Sequence, residues 1–122
     1  MKKVLLTTLL FSSLYFNASA QATAPVQTQE KFSLKQFEKY VGKKVTLCDT
    51  VYSFKIFSDT LTMLNMGGKY PNQNFTVVIT GKEIVLNFYY LKGKHICVTG
   101  DLSSYKGKPE VLIYHPDQIE FK

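Results

Sequence analysis

Apolar and polar positions along the chain follow two periods. Leu34, Phe37 and Val41 recur at i, i+3 and i+7, with Tyr40 beside them, which predicts a short helix over residues 33–41. Ser33 is placed to cap it, Gln36 completes a capping-box pattern, and Gly42 supplies the stop. From Lys43 the period becomes two. Val45, Leu47 and Val51 alternate with polar residues, and the stretch continues through Tyr52, Phe54 and Ile56 to Phe57 as one long strand. Cys48-Asp49 is the expected place for a bulge or bend in it. Ser58-Asp59 turn the chain, and Leu61, Met63 and Asn65 form a second strand. Residues 66–73 carry Gly67, Gly68 and Pro71 and read as a loop. Phe75 to Thr80, β-branched and aromatic, is a third strand.

Residues 82–92 fit both periods: Ile84, Leu86 and Phe88 suit a strand, while Ile84, Phe88 and Leu91 suit a short helix. Gly93-Lys94 opens a fourth strand, His95 to Leu102. Ser103 to Pro109 is a polar, basic loop. Val111 to Tyr114 begins a fifth strand, His115-Pro116-Asp117 interrupts it, and Ile119 to Phe121 closes the chain. Pro116 cannot donate to a ladder, which confines it to an edge or a strand end. Five strands in about 80 residues, with a helix or irregular connection between the third and fourth, is the order of an all-β, five-stranded OB-fold barrel.

Ahead of both periods lies an apolar run. Lys2 and Lys3 precede Val4 to Phe16, and Asn17-Ala18-Ser19-Ala20 offers small residues at a cleavage site. This is the pattern of a cleavable secretory signal peptide over residues 1–20. The run is too short for a spanning helix, which needs ~20 apolar residues. It predicts export, to a periplasmic or extracellular destination, with no stable membrane insertion after cleavage. Residues 21–32 are polar and small, a flexible leader. Residues 33–122 form the folded domain. Without Lys2 and Lys3 there remain 13 basic residues, all Lys, against nine acidic ones, a net charge of +4. The absence of Arg removes the side chain suited to bidentate grips on phosphate and base edges.

Three segments carry a resemblance: GKKVTLCDTV at 42–51, GKHICVTGDL at 93–102 and YKGKPEVLI at 105–113. The first two are alike. Together, and with LNMGGKYPNQNFTVVI between them, they resemble small exported bacterial OB-fold proteins of the nucleic-acid-binding (tRNA-anticodon-like) superfamily. The resemblance spans residues 33–121. It departs at Asp49, where the first-strand repeat usually carries Gly, while the matching Gly100 is kept. It implies that residues 82–92 connect the third and fourth strands. It also implies that the first and fourth strands are antiparallel neighbours. Cys48 and Cys97, the two cysteines of the chain, then project to the same side and form a disulfide if the register allows. The alternative is two separate thiols.

The chemistry the residues offer is binding rather than catalysis. His95 and His115 stand in no metal spacing, and no nucleophile, paired-carboxylate or phosphate-loop motif occurs. C-x-x-C is absent, and no cofactor or metal is expected. In OB folds the ligand crosses the second and third strands between the loops that follow the first and fourth. On the strands that track covers Tyr52, Phe54, Lys55, Phe57 and Phe75; on the loops, Lys69, Tyr70, Tyr105, Lys106 and Lys108. Flat rings beside lysines suit single-stranded nucleic acid or another anionic polymer. The competing expectation is an envelope domain that binds a protein partner and has no nucleic-acid role, its aromatics filling the core.

Overall fold

A computed structural model describes residues 26–28 and 33–122. The expected signal peptide and most of the leader lie outside the described residues. In chain order the elements are β1 (Gln27–Thr28), a 3-10 helix (Leu34–Tyr40), β2 (Lys44–Ser58), β3 (Leu61–Met66) and β4 (Phe75–Thr80). After these come α1 (Phe88–Leu91), β5 (His95–Tyr105), β6 (Lys108–Ile113), a second 3-10 helix (Pro116–Gln118) and β7 (Ile119–Phe121).

The long strand β2 changes partner half-way. Lys44–Thr50 pair with β5, and Val51–Ser58 pair with β3, both antiparallel. A register shift between Val51 and Ser53 leaves Tyr52 as the extra residue, so the bulge falls beyond Cys48-Asp49, which stay within the ladder to β5. β3 pairs antiparallel with β4, β4 parallel with β6, and β6 antiparallel with β5. Because β5 also pairs with β2, the pairings return to the strand they began on.

Among the described residues the sheet holds seven strands, not the expected five. The N-terminal halves of β2 and β5 bond each other along one edge, and β3 and β6 do not reach their other edges. Bare edges leave backbone groups unpaired. β1 fills one, parallel to Val45 and Thr46, and β7 fills the other, antiparallel to Ile96–Val98. Gln27 and Thr28 of the expected leader thus belong to the sheet. β7, expected as the end of the fifth strand, is turned back by Pro116–Gln118, where His115 and Gln118 form a capping box.

Two expected elements take a different form. The N-terminal helix is 3-10, with Gln36 at φ −115°, ψ 21°, and Ser33 Oγ accepting from the Lys35 N–H at 3.2 Å. A 3-10 turn holds three residues, so Leu34, Phe37 and Tyr40 line up against the core and Val41 falls outside, 43% exposed. The expected loop 103–109 is mostly strand. β5 and β6 run to Tyr105↔Lys108, and only Lys106 (φ 48°) and Gly107 (φ 76°) turn. Two left-handed residues give the turn whose twist matches antiparallel strands.

Period-two positions on each strand meet inside. Val45, Leu47 and Val51 pack with Leu64, Met66, Phe75 and Val77, and with Ile96, Val98, Val111 and Ile113 from the other strands. Ile84 and Leu91 of the β4–β5 connection complete this core. The connection is irregular apart from α1, which Asn87 caps.

The two alike segments face each other across the β2–β5 ladder. Gly42 N–H donates to Leu102 O and Gly93 N–H to Val51 O, both at 2.8 Å. Leu102 N–H donates to Lys43 O and Val51 N–H to Lys94 O, both at 2.9 Å. These matched bonds define a local two-fold through the Leu47↔Val98 pair. Cys48 lies directly opposite Cys97 and is joined to it by a disulfide with Cα atoms 4.0 Å apart. The two-fold carries that pair onto Thr99 and Thr46, whose hydroxyls share a hydrogen bond at 2.7 Å. It carries Asp49 onto Gly100. A Cβ at Gly100 would run into the carbonyl oxygen of Leu112, whereas Asp49 has room to accept from Asn74 Nδ2 at 2.8 Å.

Candidate functional site

Register, rather than sequence distance, builds the site. Ser53 on β2 stands opposite Asn65 on β3, Asn65 opposite Thr76 on β4, Thr76 opposite Glu110 on β6, and Glu110 opposite Ser103 on β5. Directly opposed residues share a face, so these five polar side chains form one file across the outside of the sheet. Asn65 Nδ2 donates to Ser53 Oγ at 2.9 Å, and Gln73 Nε2 donates to Thr76 Oγ1 at 3.0 Å.

Asn65, Thr76 and Glu110 from the file, with Gln73, lie on the floor of a groove of about 640 Å³. Lys55, Phe57 and Met63 extend it on one side. The β5–β6 hairpin brings Tyr105, Lys106 and Lys108, and the β3–β4 loop brings Tyr70 and Pro71, joined by a cis peptide. Phe57, Tyr70 and Tyr105 are each more than half exposed. Lys55 Nζ sits 4.9 Å from the Phe57 ring centre and Lys106 Nζ 5.3 Å from that of Tyr105. Each ammonium over a ring face adds a modest attraction that orients it.

Of the residues expected on the ligand track, the structure brings together Lys55, Phe57, Tyr70, Tyr105, Lys106 and Lys108. Four do not line the groove. Phe75 is fully buried in the core, because Phe75, Val77 and Ile79 are the inward positions of β4. Phe54 is turned inward by the bulge at Tyr52, and its ring meets Phe88 at 5.8 Å and Tyr89 at 5.2 Å. Tyr52 and Lys69 are exposed beyond the groove.

The polar floor escapes a sequence reading. Asn65, Thr76 and Glu110 sit on three strands, and only the pairing register brings them together. Period two marks Thr76, between Phe75 and Val77, as an outward position, the one signal present; Asn65 shares its phase with Leu61 and Met63 and carries none. Gln73 is a polar residue in a turn-rich segment, yet it is buried, and its Oε1 has no hydrogen-bond partner among the described residues. A bare buried amide oxygen costs about 1–3 kcal/mol. Burial raises the Glu110 carboxyl above its usual value of 4.5. The floor therefore carries acceptors and the rim carries cations and ring faces.

No family model and no curated protein matches this sequence. The chemistry of the groove is that of its own atoms. No group of three or more His, Cys, Asp or Glu side chains that could hold a metal occurs among the described residues. His115 instead pairs with Asp117 at 2.7 Å near the second 3-10 helix.

Proposed function

We propose that this chain is an exported, non-enzymatic OB-fold binding module whose outer groove takes single-stranded nucleic acid. Support for the fold comes from the pairing cycle β2-β3-β4-β6-β5-β2, with its parallel β4–β6 pair and a connection bearing α1 between β4 and β5. That cycle is the order of a five-stranded OB barrel, with β1 and β7 as additions to it. One observation carries the ligand assignment. Three exposed rings, Phe57, Tyr70 and Tyr105, and three lysines, Lys55, Lys106 and Lys108, meet around one groove. Rings stack on bases without regard to sequence, and lysines neutralise phosphates. Fluorescence anisotropy with labelled single-stranded DNA at low salt tests the proposal. Tyr105→Ala is expected to weaken binding by about 1–3 kcal/mol. No binding at ~100 μM, the weak limit of non-specific association, sinks it. An arm with a sulfated glycan of similar length separates nucleic acid from other oligoanions.

A second reading is an envelope domain that docks a protein and binds no nucleic acid. It is favoured by Val85, Tyr89 and Tyr90 on the β4–β5 connection, each at least three-quarters exposed and none lining the groove. Single variants Val85→Lys and Tyr90→Lys are expected to abolish recovery of a reproducible partner from envelope extract. Recovery of none by the unaltered protein counts against this reading.

A further inference from the structure

The groove floor is chemically opposite to its rim. Lys55, Lys106 and Lys108 offer donors and positive charge. Beneath them lie Gln73, whose buried carbonyl oxygen has no hydrogen-bond partner among the described residues, and the Glu110 carboxylate. The two acceptors are neighbours. Gln73 is bonded through its amide nitrogen to Thr76 Oγ1, and Thr76 stands directly opposite Glu110. With Nε2 turned to Thr76, Oε1 is the end of the Gln73 amide left over.

A ligand bearing only anionic groups would satisfy the lysines, leave the Gln73 oxygen bare and be repelled by Glu110. The occupant that suits the whole groove brings negative charge to the rim and hydrogen-bond donors to the floor. A nucleotide with its phosphate at the lysines and its base among the rings does both, provided the base edge carries donors. Cytosine, adenine and guanine have an exocyclic amino group, whereas thymine and uracil present two carbonyls around a single N–H. Carboxylates and amide oxygens accept from such amino groups. A thymine carbonyl set against either acceptor leaves both unpaired, and unpaired groups are what discriminate strongly.

We infer that Gln73 and Glu110 select the base, so that the groove takes cytosine-bearing strands in preference to thymine-bearing ones. This rests on the groove being the nucleic-acid site. Oligo-dC and oligo-dT of equal length, compared by anisotropy at one salt concentration and neutral pH, provide the test. These pyrimidines differ little in size, so the ratio reports the base edge. The unaltered protein is expected to favour oligo-dC about tenfold, or ~1.4 kcal/mol. Glu110→Gln supplies an amide donor to a thymine carbonyl and is expected to bring the ratio within about threefold, as is Gln73→Leu. Glu110 is only half-buried, so that variant keeps the test open if the buried Gln73→Leu does not fold. Tyr105→Ala is expected to weaken both strands alike and leave the ratio intact. Equal affinities in the unaltered protein, a thymine preference, or a ratio untouched by Glu110→Gln would overturn the inference while the groove assignment stands. Failure to bind either strand removes both.

Discussion

Single residues decide where this sheet bends and which side chains it shows. Gly100 has no room for a side chain because the Leu112 carbonyl lies where a Cβ would stand. Gly100→Ala is expected to destabilise the protein by about 1–3 kcal/mol, since backbone rather than a flexible side chain must move. An unchanged urea midpoint would refute that contact. Its two-fold mate is Asp49, so of these two equivalent positions only the one crowded by Leu112 requires glycine. Glu110 offers a second test. Burial raises its folded-state pKa above the ordinary 4.5, so the folded protein holds this proton more tightly than the unfolded chain. Its contribution to stability therefore falls as pH rises from the unfolded value through the folded one. The stability gained by Glu110→Gln is expected to grow over that window and then level off, in urea titrations between about pH 4 and pH 8. A gain that ignores pH would show that the carboxyl is not desolvated. At this scale the lysines and tyrosines of the rim were legible from residue type. Phe54 was not, because one bulged residue, Tyr52, inverts the in–out phase from Ser53 to Ile56, until a second shift at Phe57 resets it.

Among the elements, the β2–β5 ladder has the clearest energetic consequence. The Cys48–Cys97 bond closes a loop over a sequence separation of 49, which chain-entropy arguments value at about 4 kcal/mol. Reduction, or Cys48→Ser with Cys97→Ser, is expected to lower stability by an amount of that order in chemical denaturation. The equivalent site gives the contrast. Replacing Thr46 and Thr99 together by Val removes one half-buried hydroxyl pair, with an expected change within about 1 kcal/mol. A comparable loss at both sites would mean that packing, not the covalent link, is what matters there. The extents of β2, β3 and β4 could be read from alternation and turn residues with little error, though not the in–out phase of β2 beyond Tyr52. The β5–β6 hairpin could not, because Ser103, Ser104 and Pro109 look like loop while pairing with strand partners. Nor could the 3-10 geometry at residues 34–40, where period three and period 3.6 agree over the first turns.

At the scale of the whole molecule, the groove gathers residues from five strands, the β3–β4 loop and the β5–β6 turn. Its rim holds three lysines on a domain whose expected net charge is modest. Binding of single-stranded DNA is expected to fall with salt at a slope of about −2 in log–log form, since three neutralised phosphates contribute ~0.7 each. A slope beyond about −4 would place the ligand over a much larger basic surface than this groove. Of the long-range pairings, only the antiparallel β2–β5 ladder was expected, and that from the resemblance. Alternation gave strands without partners, and the parallel β4–β6 pair, on which the Thr76–Glu110 juxtaposition depends, has no local signature.

The covalent link joins the very pair of strands by which the pairings return to their start. Amide exchange should divide the molecule accordingly. Protons bonded between residues 44–50 and 95–101 are held by strands that cannot part company, and they should exchange only when the whole chain unfolds. Those near the Tyr105–Lys108 tip and the Tyr70–Gln73 loop can open alone. The part expected to open is the part that carries the proposed binding groove, and the clasped part would return it to register after each opening.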